Sequence, residues 1–346
     1  MSELTRRSLL GSFGYLAASR LLPAQAAPPR IRVRSLNHMP LAVTDISKSQ
    51  AFYQGLFGLP VQARQAETTI LRIGAGPQYV ALRKVAPNAK PGFHHFCMTV
   101  GGFNQEQIFK ALAAHGVTKV DAPATDPLKA WVRVRGEDAG GGKEGTAELY
   151  FSDPDGIVVQ LQDTTYCGGA GRLGNVCLAK PESPPRKGRL AVQGLSHFTI
   201  TVSNPQRSRD FYQSLFGLPI QAYQGATPAL TVGSGPQFLM FAGGPTAKPN
   251  IGHGCFTMDG FDPDKVLKTL ADFGITPRGD TRGPAGPLKS YVSLRMEDRG
   301  GAKDGTPELY FTDPDGILMQ LQDVSYCGGG GSFGEVCLPQ VAALRL

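Results

Sequence analysis

The 346-residue chain has no uninterrupted run near the roughly 20 apolar residues that a membrane-spanning helix requires. It has no Lys/Arg block and no basic stretch interleaved with aromatics, so its net charge of +7 reads as a solubility property and not as a nucleic-acid footprint. Removing residues 1–26, which hold three arginines and one glutamate, would leave +5. CxxC spacing is missing, which argues against a four-cysteine zinc site. Low-complexity tracts do not extend beyond short glycine patches. With 41% hydrophobic and 18% charged residues, the composition excludes disorder, collagen and coiled coil. The length fits two domains of roughly 150 residues each. Histidine is scarce as well, at six residues, so each one can be weighed separately.

Residues 1–26 combine a charged start, an apolar stretch from Ser8 to Leu22 broken by glycine and Arg20, and Ala24-Gln25-Ala26 as a small-residue cleavage site. The run Thr5-Arg6-Arg7-Ser8-Leu9-Leu10 resembles a twin-arginine export signal, with Leu9 where an aromatic is usual. The expectation is a periplasmic or secreted protein handled by the twin-arginine export machinery; a basic helix that stays attached is the alternative. The cysteines agree with an oxidising compartment. Cys167 and Cys177 flank one glycine-rich loop and Cys327 and Cys337 another, each pair with nine residues between, so each most simply closes its loop as a disulfide. Cys97 and Cys255 are expected to remain free.

The second half repeats the first at an offset of 158–160 residues. Phe52-Tyr53-Gln54 falls on Phe211-Tyr212-Gln213, Leu56-Phe57-Gly58-Leu59-Pro60 on Leu215-Phe216-Gly217-Leu218-Pro219, and Gly76-Pro77-Gln78 on Gly235-Pro236-Gln237. Near the ends of the copies, Glu148-Leu149-Tyr150-Phe151 with Asp153-Pro154-Asp155-Gly156 falls on Glu308-Leu309-Tyr310-Phe311 with Asp313-Pro314-Asp315-Gly316. The domains are therefore placed at 31–178 and 190–340, joined by a proline-rich, charged, exposed linker at 179–189. Each copy reads as two units of strand, helix and further strands. In the first, Leu36–Thr44 alternates as a strand, Asp45 caps a helix through Leu56 that Gly58 ends, and extended stretches follow at Thr69–Ile73 and Gln78–Leu82. In the second, strand Phe93–Val100 leads into helix Asn104–Ala114, then strands near Ala130–Val134, Ala147–Phe151 and Ile157–Gln162, with a turn at Asp153–Gly156 that its aspartates form. The expected fold is α+β, with four βαβββ modules in all.

Strand alternation sorts the side chains by face. Met39, Leu41 and Val43 can pack under the helix, which turns His38, Pro40 and Ala42 the other way; His197 stands likewise opposite Phe198, Ile200 and Val202. Phe96, Met98 and Val100 pack under the helix with His95, Cys97 and Thr99 opposite, and Phe256 and Met258 have His253, Cys255 and Thr257 opposite. Gln160 and Gln320 join that second face, with Gln162 and Gln322 read as solvent-facing strand glutamines. His94 aligns with Gly252 and His115 with Phe273, so neither belongs to the shared architecture. Two histidines per copy on the face away from the helices favour metal binding over a structural role. Cys97 and Cys255 read as small apolar fillers.

These residues resemble the vicinal oxygen chelate superfamily, whose paired βαβββ modules curl into a half-barrel around a metal and which includes glyoxalase I, extradiol ring-cleaving dioxygenases and bleomycin-resistance binding proteins. The resemblance spans two tandem domains. It implies metal ligands His38, His95 and Gln160 in the first copy and His197, His253 and Gln320 in the second. Leu149-Tyr150-Phe151-Ser152-Asp153-Pro154-Asp155-Gly156 and Leu309-Tyr310-Phe311-Thr312-Asp313-Pro314-Asp315-Gly316 match the extradiol signature. Two departures stand out: the ligand glutamate is replaced by Gln160 and Gln320, and the histidine that opens the signature is absent, its neighbourhood holding Lys143 and Lys303. The fourth ligand position of glyoxalase I falls near Ala81 and Met240, which offer no oxygen donor.

Two imidazoles and one oxygen donor leave open positions for a bidentate substrate and dioxygen, as at non-haem Fe(II) sites. The resemblance thus implies an exported, metal-dependent enzyme of extradiol-dioxygenase type acting on a small, vicinal diol-like molecule. Fe(II) is the expected metal, with Mn(II), Zn(II) and Cu(II) as alternatives. Tyr150 and Tyr310 would hydrogen-bond a substrate or metal-bound oxygen, and Lys143 and Lys303 are candidate partners for an anionic substrate. A glyoxalase-like isomerase or lyase and a non-catalytic binding or resistance module are the alternative functions; the first lacks an evident base, and the second needs no metal.

Overall fold

The computed structural model describes residues 30–279 and 285–339. The export signal expected at 1–26 lies outside the described residues. In the first copy the elements run β1 (Val33–Val43), α1 (Ile46–Phe57), β2 (Val61–Gln65), β3 (Thr68–Arg72), β4 (Tyr79–Lys84), β5 (Gly92–Phe93), β6 (Phe96–Val100), α2 (Gln105–Ala114), β7 (Thr118–Lys119), β8 (Lys129–Arg135), β9 (Thr146–Ser152) and β10 (Val158–Asp163). The second copy runs β11 (Val192–Val202), α3 (Pro205–Phe216), β12 (Ile220–Gln224), β13 (Thr227–Thr231), β14 (Phe238–Gly243), β15 (Asn250–Met258), α4 (Pro263–Asp272), β16 (Thr276–Pro277), β17 (Lys289–Arg295), β18 (Thr306–Thr312) and β19 (Leu318–Asp323). Stripped of the two-residue strands β5, β7 and β16, this is the βαβββ order four times over, and the α+β architecture expected of the sequence.

Local chemistry sets the helix ends. The side chain of Asp45 accepts from Lys48 N, and Gly58 closes α1 in the left-handed region at φ 68° with its N–H on Gln54 O. A Cβ on Gly58 would also lie 2.9 Å from Gly188 N, so the position excludes a side chain twice over. Phe52, Tyr53, Leu56 and Phe57 form the buried face of α1, at helical spacing. Each such side chain contributes on the order of 1.5–3 kcal/mol by leaving water.

Each copy forms one continuous sheet, ordered β2-β3-β4-β1-β6-β10-β9-β8-β7 in the first and β12-β13-β14-β11-β15-β19-β18-β17-β16 in the second. The leading strands of the two modules are thus neighbours at the middle of each sheet. His38, Cys97 and Gln160 sit side by side across β1, β6 and β10. Met39, Leu41 and Val43 face the core as the alternation required, and all three are fully buried.

Three local expectations needed correction. Strand β2 was not anticipated, because Val61 and Ala63 alone make a weak alternation. The strand expected over Phe93–Val100 is broken at His94 and His95 into β5 and β6, whereas its counterpart β15 is unbroken. Gln162 and Gln322 do not face solvent: both are fully buried, each Nε2 donating to a neighbouring strand carbonyl, Ala147 O and Pro307 O.

The copies share a single hydrophobic core and meet through reciprocal contacts. Phe57 packs on Phe311 as Phe216 packs on Phe151, with ring centroids 5.8 and 6.1 Å apart. Tyr53 donates to Asp313 (3.2 Å) and Tyr212 to Asp153 (3.3 Å). Gln78 bonds Leu36 O and Leu195 N, while Gln237 bonds Leu195 O and Leu36 N. Backbone bonds tie the segment between the copies to the first one: Glu182 pairs with Val61, and Arg189 N donates to Leu56 O.

Candidate functional site

On the concave face of the first sheet His38 comes from β1, His95 from the residue before β6, and Gln160 from β10. Gln160 Oε1 lies 3.0 Å from His38 Nε2 and 2.8 Å from His95 Nε2. In the second copy Gln320 Oε1 lies 3.0 Å from His197 Nε2, which is 3.3 Å from His253 Nε2. The structure therefore brings together both sets of three residues singled out in the sequence.

Hydrogen bonding decides which nitrogen of His38 faces inward. Asn37 Nδ2 donates to Tyr166 O at 3.1 Å, so Asn37 Oδ1 is left to accept from His38 Nδ1 at 2.7 Å. The Nε2 lone pair then points at another acceptor, Gln160 Oε1. His38 is stacked on Tyr79 with centroids 4.3 Å apart, and His197 on Phe238 at the same distance, so neither ring is free to turn.

Burial keeps all four imidazoles neutral. It lowers His38 to about 3 and His253 to about 4, and holds His95 and His197 well below the ordinary histidine value, with further lowering by neighbouring histidines. Neutral imidazole is the form that ligates metal.

This donor set fits a divalent cation. Acceptors about 3 Å apart are spaced as ligands roughly 2.1 Å from one ion at right angles would be. Gln160 Nε2 and Gln320 Nε2 are buried without a partner, the consequence of turning each amide oxygen toward the imidazoles. Among the described residues no three His, Cys, Asp or Glu side chains gather to hold a metal; the oxygen that stands beside the two imidazoles is an amide one. Cys97 and Cys255 are buried free thiols beside Gln160 and Gln320 in register, where a larger side chain would intrude on the donors.

In the first copy the donors line a cavity of about 640 Å3 whose wall includes Trp131, Tyr150, Arg83 and Arg133. Trp131 and Tyr150 are stacked with centroids 5.6 Å apart, and Tyr150 meets His95 edge-on at 5.3 Å. The Tyr150 hydroxyl donates to Glu148 (3.2 Å), as Tyr310 donates to Glu308 (3.3 Å), so both tyrosines reach the site with their hydroxyls already engaged. Burial raises Glu148, but Arg133 and Arg135 outweigh it and hold the carboxyl below the ordinary value. Lys143 and Lys303 are exposed in their loops, and Lys143 is not part of the cavity wall. The cationic groups on that wall are Arg83, Lys84, Lys90 and Arg133, which sequence reasoning passed over; Lys84 Nζ donates to Thr44 O, and Lys90 has a lysine counterpart in Lys248. Alternation from Tyr79 through Ala81 would have found Arg83.

The glycine-rich loops are closed as expected, Cys167 to Cys177 and Cys327 to Cys337. No helix among the described residues is long and apolar enough to cross a membrane.

The Glyoxalase family model, described as the Glyoxalase/Bleomycin resistance protein/Dioxygenase superfamily, matches residues 35–161 and 194–321. The chain is 30% identical over 152 residues to glutathione transferase FosA of Serratia marcescens, across 43% of this chain and 92% of that protein. It is 30% identical over 212 residues to metapyrocatechase 2 of Cupriavidus necator, across 58% of each, so it spans little more than half the length of that relative. Among solved structures, homoprotocatechuate 2,3-dioxygenase from Arthrobacter globiformis aligns with a TM-score of 0.57 at 18% identity, covering 88% of this chain and 84% of its own, which is a likeness of fold.

Proposed function

This chain belongs to the Glyoxalase/Bleomycin resistance protein/Dioxygenase superfamily, and from that premise we propose that it is a metal-dependent enzyme of extradiol-dioxygenase type acting on a small chelating, vicinal diol-like substrate. The observation that carries the reading is the convergence of two neutral imidazoles and an amide oxygen on the floor of a ring-walled cavity. His38, His95 and Gln160 would hold the metal in the first copy, and His197, His253 and Gln320 in the second. A bound divalent metal, Fe(II) foremost and Mn(II), Zn(II) or Cu(II) otherwise, would supply Lewis acidity and open positions for two substrate oxygens and dioxygen.

The chain's own groups have distinct tasks. Tyr79 and Asn37 hold the His38 ring, the Trp131–Tyr150 stack offers a flat wall to an aromatic substrate, and the apolar surroundings of the donors keep bulk water out. Tyr150 and Tyr310, fixed by Glu148 and Glu308, would orient the bound substrate. Glu148 accepts from two arginines and two tyrosines. It is therefore not a free base, which disfavours an isomerase that must abstract a proton. The likeness to FosA supports the alternative of a resistance-type module. Export through the twin-arginine route, which Arg6 and Arg7 suggest, is supported by the two disulfides, since such bonds persist in oxidising compartments.

Metal analysis of anaerobically purified protein, followed by oxygen uptake with catechols, tests the reading. Two equivalents per chain and substrate-dependent oxygen consumption are expected. Metal near zero would leave the binding module.

A further inference from the structure

The copies keep the same donor triad and different walls. On β4 the concave positions are Tyr79, Ala81 and Arg83; on β14 they are Phe238, Met240 and Ala242. On β8 the residue opposite Glu148 is Arg133, while on β17 the residue opposite Glu308 is Ser293. Both first-copy arginines thus have uncharged counterparts.

Neither arginine is needed to build the fold. The buried glutamate of each copy already has its own cation: Arg135 donates Nε to Glu148 at 2.9 Å and Arg295 donates Nε to Glu308 at 2.8 Å, each also capping two loop carbonyls. Arg133 adds a second positive charge on Glu148, and its side chain remains 47% exposed. Arg83 is half-buried and makes no hydrogen bond or ion pair to any described residue. Burial and then the Arg133 charge lower its pKa. The cavity wall that holds both contains no aspartate or glutamate, and of its two lysines Lys84 donates to Thr44 O while Lys90 aligns with Lys248 and so does not distinguish the copies. The adjoining surface groove carries Glu67 and Asp138, yet neither pairs with Arg83. A half-buried cation facing another cation is unfavourable until an anion enters.

We propose that the first copy's cavity binds the oxyanion substituent of its ligand between Arg83 and Arg133, and that the second copy's site takes ligands without one. This rests on the reading of that cavity as the substrate site; it does not require the metal to be bound. The two sites then serve different ligand classes, a carboxylate- or phosphonate-bearing molecule at the first and one without that substituent at the second, where the nearby cation is Arg278 over the Tyr291 ring and not a pair of facing arginines.

Trp131, the single tryptophan of the chain, stands in the first cavity, so its fluorescence reports that site alone. Full-length protein is titrated at low ionic strength with benzoate, phenylphosphonate and the neutral benzamide. One or both anions should bind about tenfold or more tightly than benzamide, and salt should weaken only the anions; which anion wins identifies the substituent. Arg83→Ala with Arg133→Ser, the residues of the second copy, should erase the preference, and Arg83→Lys should keep most of it. Tyr291→Trp with Trp131→Tyr moves the reporter to the second copy, which should show no preference until Ala242→Arg and Ser293→Arg are added. Equal binding of the three probes to the unmodified chain, or a preference that survives the double substitution, overturns the proposal. Metal content measured on the same samples separates the two readings: no metal with a retained preference removes only the dioxygenase, and two metals with no preference removes only this inference.

Discussion

Asn37 joins Tyr166 O to His38 Nδ1, and the ring cannot turn without giving up the hydrogen bond from its Nδ1. Asn37→Ala should therefore weaken first-site metal binding by about 10- to 100-fold, as losses of a ligand's supporting hydrogen bond do, in a competition titration against a chelator. His95→Ala should remove one of two metal equivalents and leave the second copy loaded; full stoichiometry in that variant would refute the ligand assignment. Gln160→Glu with Gln320→Glu should tighten metal binding by about tenfold or more, because each restores a negative charge at the ion, and should lower turnover. Unchanged affinity and activity would make the glutamines bystanders. His38, His95 and Gln160 were legible in the sequence because a period of two fixes the face of a strand. Arg83 lies on that face by the same alternation and was passed over, while Arg133 comes from a strand far off in sequence that meets it only when the sheet curls; the exposed lysines of the signature loops drew attention instead.

Helix limits were readable because caps are local chemistry: Asp45 and Gly58 announce α1, as Asn104 announces α2. The glycine-rich loops were readable as disulfide loops, but what they support was not. The loop closed by Cys167 and Cys177 begins at Tyr166, whose carbonyl orients Asn37 and hence His38. Replacing both cysteines by serine should cost about 2–3 kcal/mol of stability on chain-entropy grounds. It should also weaken first-site metal binding, which a purely stabilising bridge would leave alone. Denaturant melts and metal titration of the same variant check the two effects. The aspartates of the Asp-Pro-Asp-Gly turns were legible only as turn formers. Asp153 Oδ1 does accept from Asp155 N and Ile157 N, but its Oδ2 reaches Tyr212 in the other copy, a contact that alternation cannot foresee.

Across the whole molecule those turn carboxylates lie buried where the copies meet. Burial raises Asp153 and Asp313 to about 6, against backbone hydrogen bonds that lower them. A carboxyl whose folded value lies above its unfolded value near 3.8 favours the folded state below that pH, and the contribution is lost as pH rises through about 6. Asp153→Asn with Asp313→Asn should thus stabilise the protein at pH 7.5, by at most about 3 kcal/mol per site, with the gain vanishing near pH 4. Thermal melts across that range check the sign; a gain that grew on acidification would contradict it. Because one core spans both copies, unfolding should be a single transition, and two resolved transitions in calorimetry would show that the copies melt apart.

The reciprocity of the contacts between copies, Tyr53 with Asp313 and Tyr212 with Asp153, is that of a two-fold symmetric dimer held in one polypeptide. In a dimer of identical chains every substitution appears at both active sites, so an arginine that suits one ligand is imposed on the other. Joining the halves through residues 179–189 lifts that constraint. Ala242 can stand where Arg83 stands across the pseudo-axis, and the interface can keep its symmetry while the two cavities diverge.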